Sequence, residues 1–329
     1  MSTGYDAMSD AEQIAALRPV ALRAADEFGL EVARIDVLLH SYNTTFALRT
    51  PDGRRLALRV GTNSHSTAEH AIAQQAWIAA IAAETDVLVP EPLRTPDGGW
   101  FVEVDAPALG RQLLVTIASW LEGEDADELD AAGAHALGRA MAALHSQAAG
   151  WSPPPGSALP TFDEPLFGDR DVLDAAPGLT ADDRAVLAQS RARAGEAFAR
   201  LVAGGGARPL HADLHGGNVK WHEGRLAVFD FDDAGVAPPA LDLAIAAFYL
   251  RGADPALEAA LRAGYAQLAP LPELEPGDLE ALIAGRQLLL ANAMLSMSTA
   301  DLRAQAAAYT QTSLGRLRRW LATGVFTRD

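Results

Sequence analysis

His211-Ala212-Asp213-Leu214-His215-Gly216-Gly217-Asn218, followed one turn later by Phe229-Asp230-Phe231-Asp232-Asp233, is the stretch that decides how this chain is read. Between the two words, His222-Glu223-Gly224 marks a turn and residues 226–229 form an apolar strand. A strand returning from that turn lays Asp230 beside the loop that carries Asp213 and Asn218. Two carboxylates and a neutral amide then sit on adjacent segments. Carboxylate and amide oxygens suit a hard cation such as Mg²⁺, which thiols would not. A carboxylate at Asp213 can also accept or orient the proton of an attacking hydroxyl. A zinc hydrolase would need more histidines at ligand spacing, and His222 lies in the turn.

The spacing of His211, Asp213 and Asn218 is that of the protein-kinase catalytic loop, H-R-D-x-x-x-x-N, and Asp230 falls at the aspartate that holds Mg²⁺ there. A third word follows, Pro239-Ala240-Leu241-Asp242-Leu243-Ala244. In this order the three words resemble the aminoglycoside phosphotransferase superfamily, a kinase-like family related to choline and homoserine kinases. That family writes them H-G-D-x-H-x-x-N, then D-F-D after an apolar strand, then P-x-x-D-L-A. Weaker similarity extends over nearly the whole chain. The resemblance implies an α+β, bilobal protein-kinase-like fold. A small N-terminal lobe would carry an antiparallel sheet and a helix, and a larger C-terminal lobe would be mostly helical. It implies transfer of the γ-phosphoryl group of ATP or GTP to a hydroxyl of a small molecule, with Mg²⁺. Asp213 would be the catalytic base, and Asn218 and Asp230 the metal ligands. His215 stands where protein kinases carry a lysine that touches the transferring phosphate. It could donate to a phosphate oxygen or simply pack. His211 would pack under the loop and bond backbone, and Asp242 would cap backbone in the loop. Asp232 would serve a second metal, the substrate, or a loop cap.

Composition narrows the rest. The 329 residues suffice for one two-lobed enzyme, and 49% hydrophobic residues can fill its core. Formal net charge is −17 at pH 7, with no basic stripe to neutralise phosphates, which argues against nucleic acid as a partner. An acidic cleft is compatible with a cationic acceptor, although acidic surfaces also serve solubility. Basic residues are nearly all arginine; Lys220 is the only lysine. Cysteine is absent, so disulfides and thiolate chemistry are excluded. There is no run of about 18 apolar residues, and no membrane-spanning helix is expected. Residues 1–10 lack the basic and apolar regions of a signal peptide, which fits a cytoplasmic enzyme. Nothing in the sequence fixes the oligomeric state.

Residues 1–118 are expected to form the nucleotide-binding small lobe, and residues 119–329 the helical lobe with the catalytic loop and acceptor site. Helical spacing predicts an amphipathic helix over 11–28, with Gly29 at its C-terminal cap. Strands are predicted over 34–40, 44–49 and 55–60, the last two joined by Thr50-Pro51-Asp52-Gly53. A helix over 66–84, an extended connector over 87–93 and strands over 100–104 and 112–119 follow. The passage between lobes is placed at 116–120. Helices are predicted over 126–149, 181–202, 239–250, 255–268, 278–295 and 300–322. Residues 150–178 read as a long surface loop. With the last helices, that loop is expected to set specificity. Tyr249, Arg251, Arg286, Asn292 and Tyr309 stand out on those helices, each individually more in keeping with packing or surface.

In the small lobe, the loop His40-Ser41-Tyr42-Asn43-Thr44 takes the place of the kinase glycine-rich loop and contains no glycine. Ser41, Asn43 and Thr44 are the candidates to approach phosphate. Leu56-Ala57-Leu58-Arg59 matches the V-A-I-K word, so Arg59 would bind the α- and β-phosphates. An inward arginine in a strand built for burial needs an anionic partner. The helix-borne glutamate that pairs with this base in kinases is replaced here by Gln74, with Glu69 the alternative partner. Two rivals are weighed. A Ser/Thr protein kinase normally carries an A-P-E word after the metal aspartate, and none follows Asp230. A catalytically silent nucleotide-binding protein would lose Asp213, Asn218 or Asp230, and all three are present.

Overall fold

The computed structural model describes residues 4–64, 66–126, 128–252 and 254–329. The first helix, α1 (Asp10–Glu27), starts at a capping box in which the Ser9 N–H donates to Glu12 Oε2 at 2.8 Å. Pro19 lies inside it, which helical spacing alone does not flag. Gly29, with φ of +69°, takes the left-handed cap just beyond its end. Next come β1 (Arg34–His40), β2 (Thr44–Arg49) and β3 (Arg55–Val60). Their bounds are those predicted; β2 and β3 alternate, and the Pro-Asp-Gly turn between them leaves little freedom. The sheet is completed by β4 (Val102–Ala106) and β5 (Arg111–Ser119), in the order β1-β2-β3-β5-β4 with every neighbour antiparallel. Leu17, Val20, Ala21 and Ala24 of α1 pack on Phe46, Leu58, Val60, Leu113 and Val115 to close one core.

Helix α2 (Ala68–Glu84) lies between β3 and β4 in the chain, yet its apolar side is buried elsewhere. Trp77, Ile78 and Ile81 join Met141, Leu144, Leu214 and Phe231 in a second core, beneath the catalytic loop. A buried tryptophan of this kind is worth roughly 3–5 kcal/mol. The segment Phe229–Asp233 is therefore seated partly on a helix from the first third of the chain.

β5 runs unbroken through Ser119, and the chain leaves the sheet only at Trp120. Gly123, φ +131°, then passes so close to the Trp221 carbonyl that a Cβ would lie 2.5 Å from its oxygen. This lets β6 (Glu124–Asp125) pair with β8 (Val219–His222), which pairs in turn with β9 (Arg225–Val228). Helix α3 (Ala131–Ala148) starts five residues later than the pattern predicts, because Asp130 Oδ1 accepts the Gly133 N–H at 2.7 Å and fixes the N-terminus there. After an irregular stretch come α4 (Ala181–Ala203), β7 (Arg208–Leu210) and, beyond β9, β10 (Gly235–Ala237), which pairs with β7. The chain closes with α5 (Ala240–Leu250), α6 (Ala256–Ala266), α7 (Pro276–Ser296) and α8 (Ala300–Thr323). Phe198, Ile245, Phe248, Leu288, Leu317 and Trp320 anchor their shared core. No helix among the described residues is long and apolar enough to cross a membrane.

Candidate active site

β7 delivers His211 to a wholly buried position. Its Nε2 donates to the Phe229 carbonyl at 3.0 Å and its Nδ1 accepts the Asp213 N–H at 3.3 Å. That pairing requires the neutral ring, and burial pushes its pKa down. Asp242, in the first turn of α5, accepts the backbone N–H of Ala212 at 2.8 Å and of His211 at 3.3 Å. It also accepts from His145 Nε2 at 2.9 Å. A fully buried carboxylate thus finds three donors and a helix N-terminus. This tie holds Ala212 in the left-handed region, φ +60°, which turns Asp213 out of the floor.

The Asn218 side chain donates to both the carbonyl of Asp213, at 2.8 Å, and its carboxylate, at 3.1 Å. The Phe229 N–H donates to the Asn218 carbonyl at 3.0 Å, so β9 brings Asp230 alongside this loop. Asp230 also has a left-handed backbone, φ +60°. Its neighbour Phe231 is wedged edge-on against Trp77, centroids 5.6 Å apart, and its carbonyl accepts Gln74 Nε2 at 2.7 Å. A strained residue is held in place by what packs next to it.

Arg59 reaches across from β3 to Asp230, at 3.8 Å, and pairs with Asp232. Asn43 donates to the same Asp232 carboxylate at 2.7 Å. Gln74, expected on Arg59, instead supports the Phe231 carbonyl, and exposed Glu69 bonds its own helix cap. The anionic partner of Arg59 therefore comes from the large lobe. Thr44 is wholly buried, its hydroxyl engaged by His40 Nδ1 at 2.8 Å and Thr62 at 2.9 Å, so it faces the sheet interior. Ser41 and Tyr42 line the cleft. His215 stacks on Tyr249, centroids 3.8 Å apart, and its Nδ1 accepts the Gly217 N–H at 3.0 Å. Its Nε2 lies 3.6 Å from Asp213.

Sequence reading underrated the other side of Asp213. Arg286, on α7 and 4% exposed, bonds Asp213 Oδ1, Asp233 Oδ2 (3.2 Å) and the Tyr249 hydroxyl (2.9 Å). The Tyr249 hydroxyl itself donates to Asp213 at 3.1 Å. Burial raises the pKa of Asp213, but the Arg286 guanidinium outweighs it and holds the carboxyl well below its usual range. Asp233 goes the other way, pushed up to about 6 by burial and by the nearby Asp213 charge, with Arg286 only partly offsetting. The one signal available in sequence was a charged residue within the apolar run of α7, which must be paired if buried.

Around these groups lies a cleft of about 620 Å³. Asp213, Asp230, Asp232 and Asp233 line one end, with Arg286 among them. Leu289, Leu290, Ala293, Met294 and Met297 of α7 and its end supply an apolar wall, and Phe162 and Phe167 of the loop after α3 face them. Arg251, Asn292 and Tyr309 serve other contacts: Arg251 pairs with Glu258 and Glu280, Asn292 binds backbone at Arg170 and Val172, and Tyr309 bonds Gln287. Among the described residues, no three His, Asp or Glu side chains form a closed metal cage. An Asp, an amide oxygen, water and phosphate oxygens are the mixed set that Mg²⁺ accepts, and Asp230 and Asn218 fit it.

A two-lobed fold with this loop and this aspartate-bearing turn is that of a kinase-like phosphotransferase. The chain belongs to the phosphotransferase enzyme family, whose model matches residues 37–276. It is an enzyme of the small-molecule kinase class. The chain is 34% identical over 178 residues to the homoserine kinase of Gluconobacter oxydans (strain 621H), a match spanning 51% of this chain and about half, 55%, of that protein. Its fold is similar to a microcompartment-associated aminopropanol kinase, with TM-score 0.74, 22% identity and coverage of 94% and 99%. It is also similar to the amicoumacin kinase hAmiN in complex with AMP-PNP, Ca²⁺ and Ami, with TM-score 0.73, 19% identity and coverage of 93% and 96%.

Proposed function

We propose that the chain transfers the γ-phosphoryl group of ATP, or of GTP, to a hydroxyl of a small-molecule acceptor in an Mg²⁺-dependent reaction. The observation that carries this reading is that Asp213 and Asp230 line one cleft, with Asn218 bonded directly to Asp213. Asn218 and Asp230 would hold Mg²⁺, which when bound neutralises phosphate charge. Arg59 would anchor the phosphates, exchanging Asp230 and Asp232 for phosphate oxygens of the same sign. Asp213, kept ionised by Arg286, would accept a hydrogen bond from the acceptor hydroxyl and orient its oxygen for in-line attack. As the bond to phosphorus forms and the nucleoside diphosphate leaves, the hydroxyl proton passes to Asp213 or onward to the phosphate. Tyr249 and Arg286 fix the carboxylate's direction, and His215, stacked on Tyr249, lies 3.6 Å from the same carboxylate.

The acceptor would occupy the cleft between α7 and residues 159–169. Its acidic end suits an acceptor that carries a cationic group near its hydroxyl, and the apolar wall suits a non-polar body. The kinship with homoserine and aminopropanol kinases supports an acceptor of modest size. The AMP-PNP and divalent cation bound by the amicoumacin kinase support a nucleotide donor. A silent nucleotide binder would be favoured by Gln74, which stands where kinases pair the base with a glutamate and carries no charge to offer Arg59. Arg59 is partnered from the large lobe, so Gln74 removes no needed charge. The test is release of nucleoside diphosphate with Mg²⁺ across a panel of amino alcohols, hydroxylated amino acids and aminoglycosides. Turnover that depends on one acceptor class supports the reading, and turnover on peptides alone overturns it.

A further inference from the structure

We propose that Asn63 is a positioning residue for the nucleotide-facing loop, the hub through which the large lobe holds Ser41 and Tyr42 in place. The inference rests on the functional reading above, in which this loop faces the phosphates.

A glycine-free loop poses a question that glycine-rich ones do not. Its backbone must approach phosphate, yet the Asn43 and Thr44 side chains are engaged elsewhere. Something else must fix it. The N–H and Nδ2 of Asn63, just past β3, both donate to the Tyr42 carbonyl, at 3.2 and 2.7 Å. Nδ2 also donates to Thr299 Oγ1 at 3.2 Å. Oδ1 accepts the Ser298 N–H at 2.8 Å and the Ser298 hydroxyl at 2.6 Å. The two hydrogens and two lone pairs of the amide are all used, and a backbone carbonyl on one side and a backbone N–H on the other fix its orientation.

The chain of bonds then returns to the loop. The Thr299 hydroxyl donates to the Ser41 carbonyl at 2.5 Å, and Thr299 is wholly buried. Buried Gln13 of α1 braces the same corner: it donates to the Ser298 carbonyl at 2.8 Å and accepts the Ala300 N–H at 3.1 Å. This corner between α7 and α8 adds a further tie between the lobes, besides the chain at Trp120, the packing of α2 and the bonds of Arg59 and Asn43 to Asp232. Ser41, Tyr42 and Met297 line the cleft directly beside it. Asn63 therefore reaches the nucleotide only through the loop carbonyls it holds. Aspartate at this position would keep the acceptors for Ser298 and lose both side-chain donors, to Tyr42 and Thr299, leaving only the backbone N–H on the loop. Alanine would lose both halves.

The experiment is calorimetric titration of the full chain with AMP-PNP and Mg²⁺, with thermal melting alongside. Asn63→Ala and Asn63→Asp are each expected to weaken nucleotide binding about tenfold, the worth of one or two ordinary hydrogen bonds. Thr299→Val should weaken it about threefold, and the double variant by less than the product, because both act on one network. A purely structural role would lower the melting temperature and leave the dissociation constant of the folded protein unchanged. Unchanged affinity in both Asn63 variants overturns the proposal. A wild-type protein that binds no nucleotide at all overturns the functional reading first, and that result is seen before any variant is made.

Discussion

The guanidinium of Arg286 on α7 is bonded to the carboxylate of Asp213, which lies 73 residues earlier in the chain. The pair links α7, which walls the cleft, to a carboxylate at the cleft's acidic end, so in the proposed reaction acceptor binding and the state of Asp213 would be physically coupled.

Removing that cation would leave a half-buried carboxylate without its counter-charge. Arg286→Met keeps much of the volume and is expected to cost about 3 kcal/mol of stability at neutral pH. The folded pKa of Asp213 is depressed, so the stabilisation is present above the ordinary carboxylate range and is lost as pH falls through the depressed value. The gap between wild type and variant should therefore narrow on acidification. Denaturant unfolding at several pH values measures it, and a variant as stable as wild type at pH 7 would show that the pairing contributes nothing.

Asp233 should show the opposite sign. Its folded pKa is raised to about 6, so its ionisation opposes folding as pH rises from about 4 through 6. Asp233→Asn should gain stability relative to wild type across that window and hold the gain above it. Its side chain keeps 36% of its surface exposed, so solvent screening limits the effect to about 1 kcal/mol. A difference in melting temperature that does not change with pH would contradict this.

Two glycines make the α3–α6 crossing possible. A Cβ at Gly138 would lie 2.0 Å from the Leu261 carbonyl oxygen, and one at Gly264 would lie 1.9 Å from that of His135. Backbone cannot swing aside as a side-chain tip can, so Gly138→Ala should destabilise by about 3 kcal/mol. Gly195 in α4 has nothing within 4 Å of such a Cβ, and Gly195→Ala should stabilise by about 0.5–1 kcal/mol. Thermal unfolding of the two variants side by side checks both signs.

The parts of this molecule that were legible in sequence are those set by neighbours in the chain. Strands β2 and β3 follow from alternation and one turn, and the backbone-bonding roles of His211 and Asp242 follow from the family words that carry them. The start of α3 was hidden because the acidic stretch 124–129 contains no Gly or Pro to interrupt a helical reading, and only the Asp130 cap marks where the helix begins. Gln74 was expected on Arg59 from its frame, but the fold places the Phe231 carbonyl within its reach and gives Arg59 its carboxylates from across the cleft. The roles of Arg286, which stood out only as a charge in an apolar helix, and of Asn63 were hidden for a common reason. Each acts on partners more than 20 residues away, and local pattern carries no record of such pairings.

The most direct test of the account is the turnover of Asp213→Asn beside wild type, with ATP, Mg²⁺ and an acceptor found to support activity. The account predicts that kcat falls by about 10²–10⁴ while the affinity for nucleotide stays within a factor of about two, because Asp213 acts on the acceptor hydroxyl and not on the phosphates' binding. A variant that turns over at the wild-type rate would contradict it.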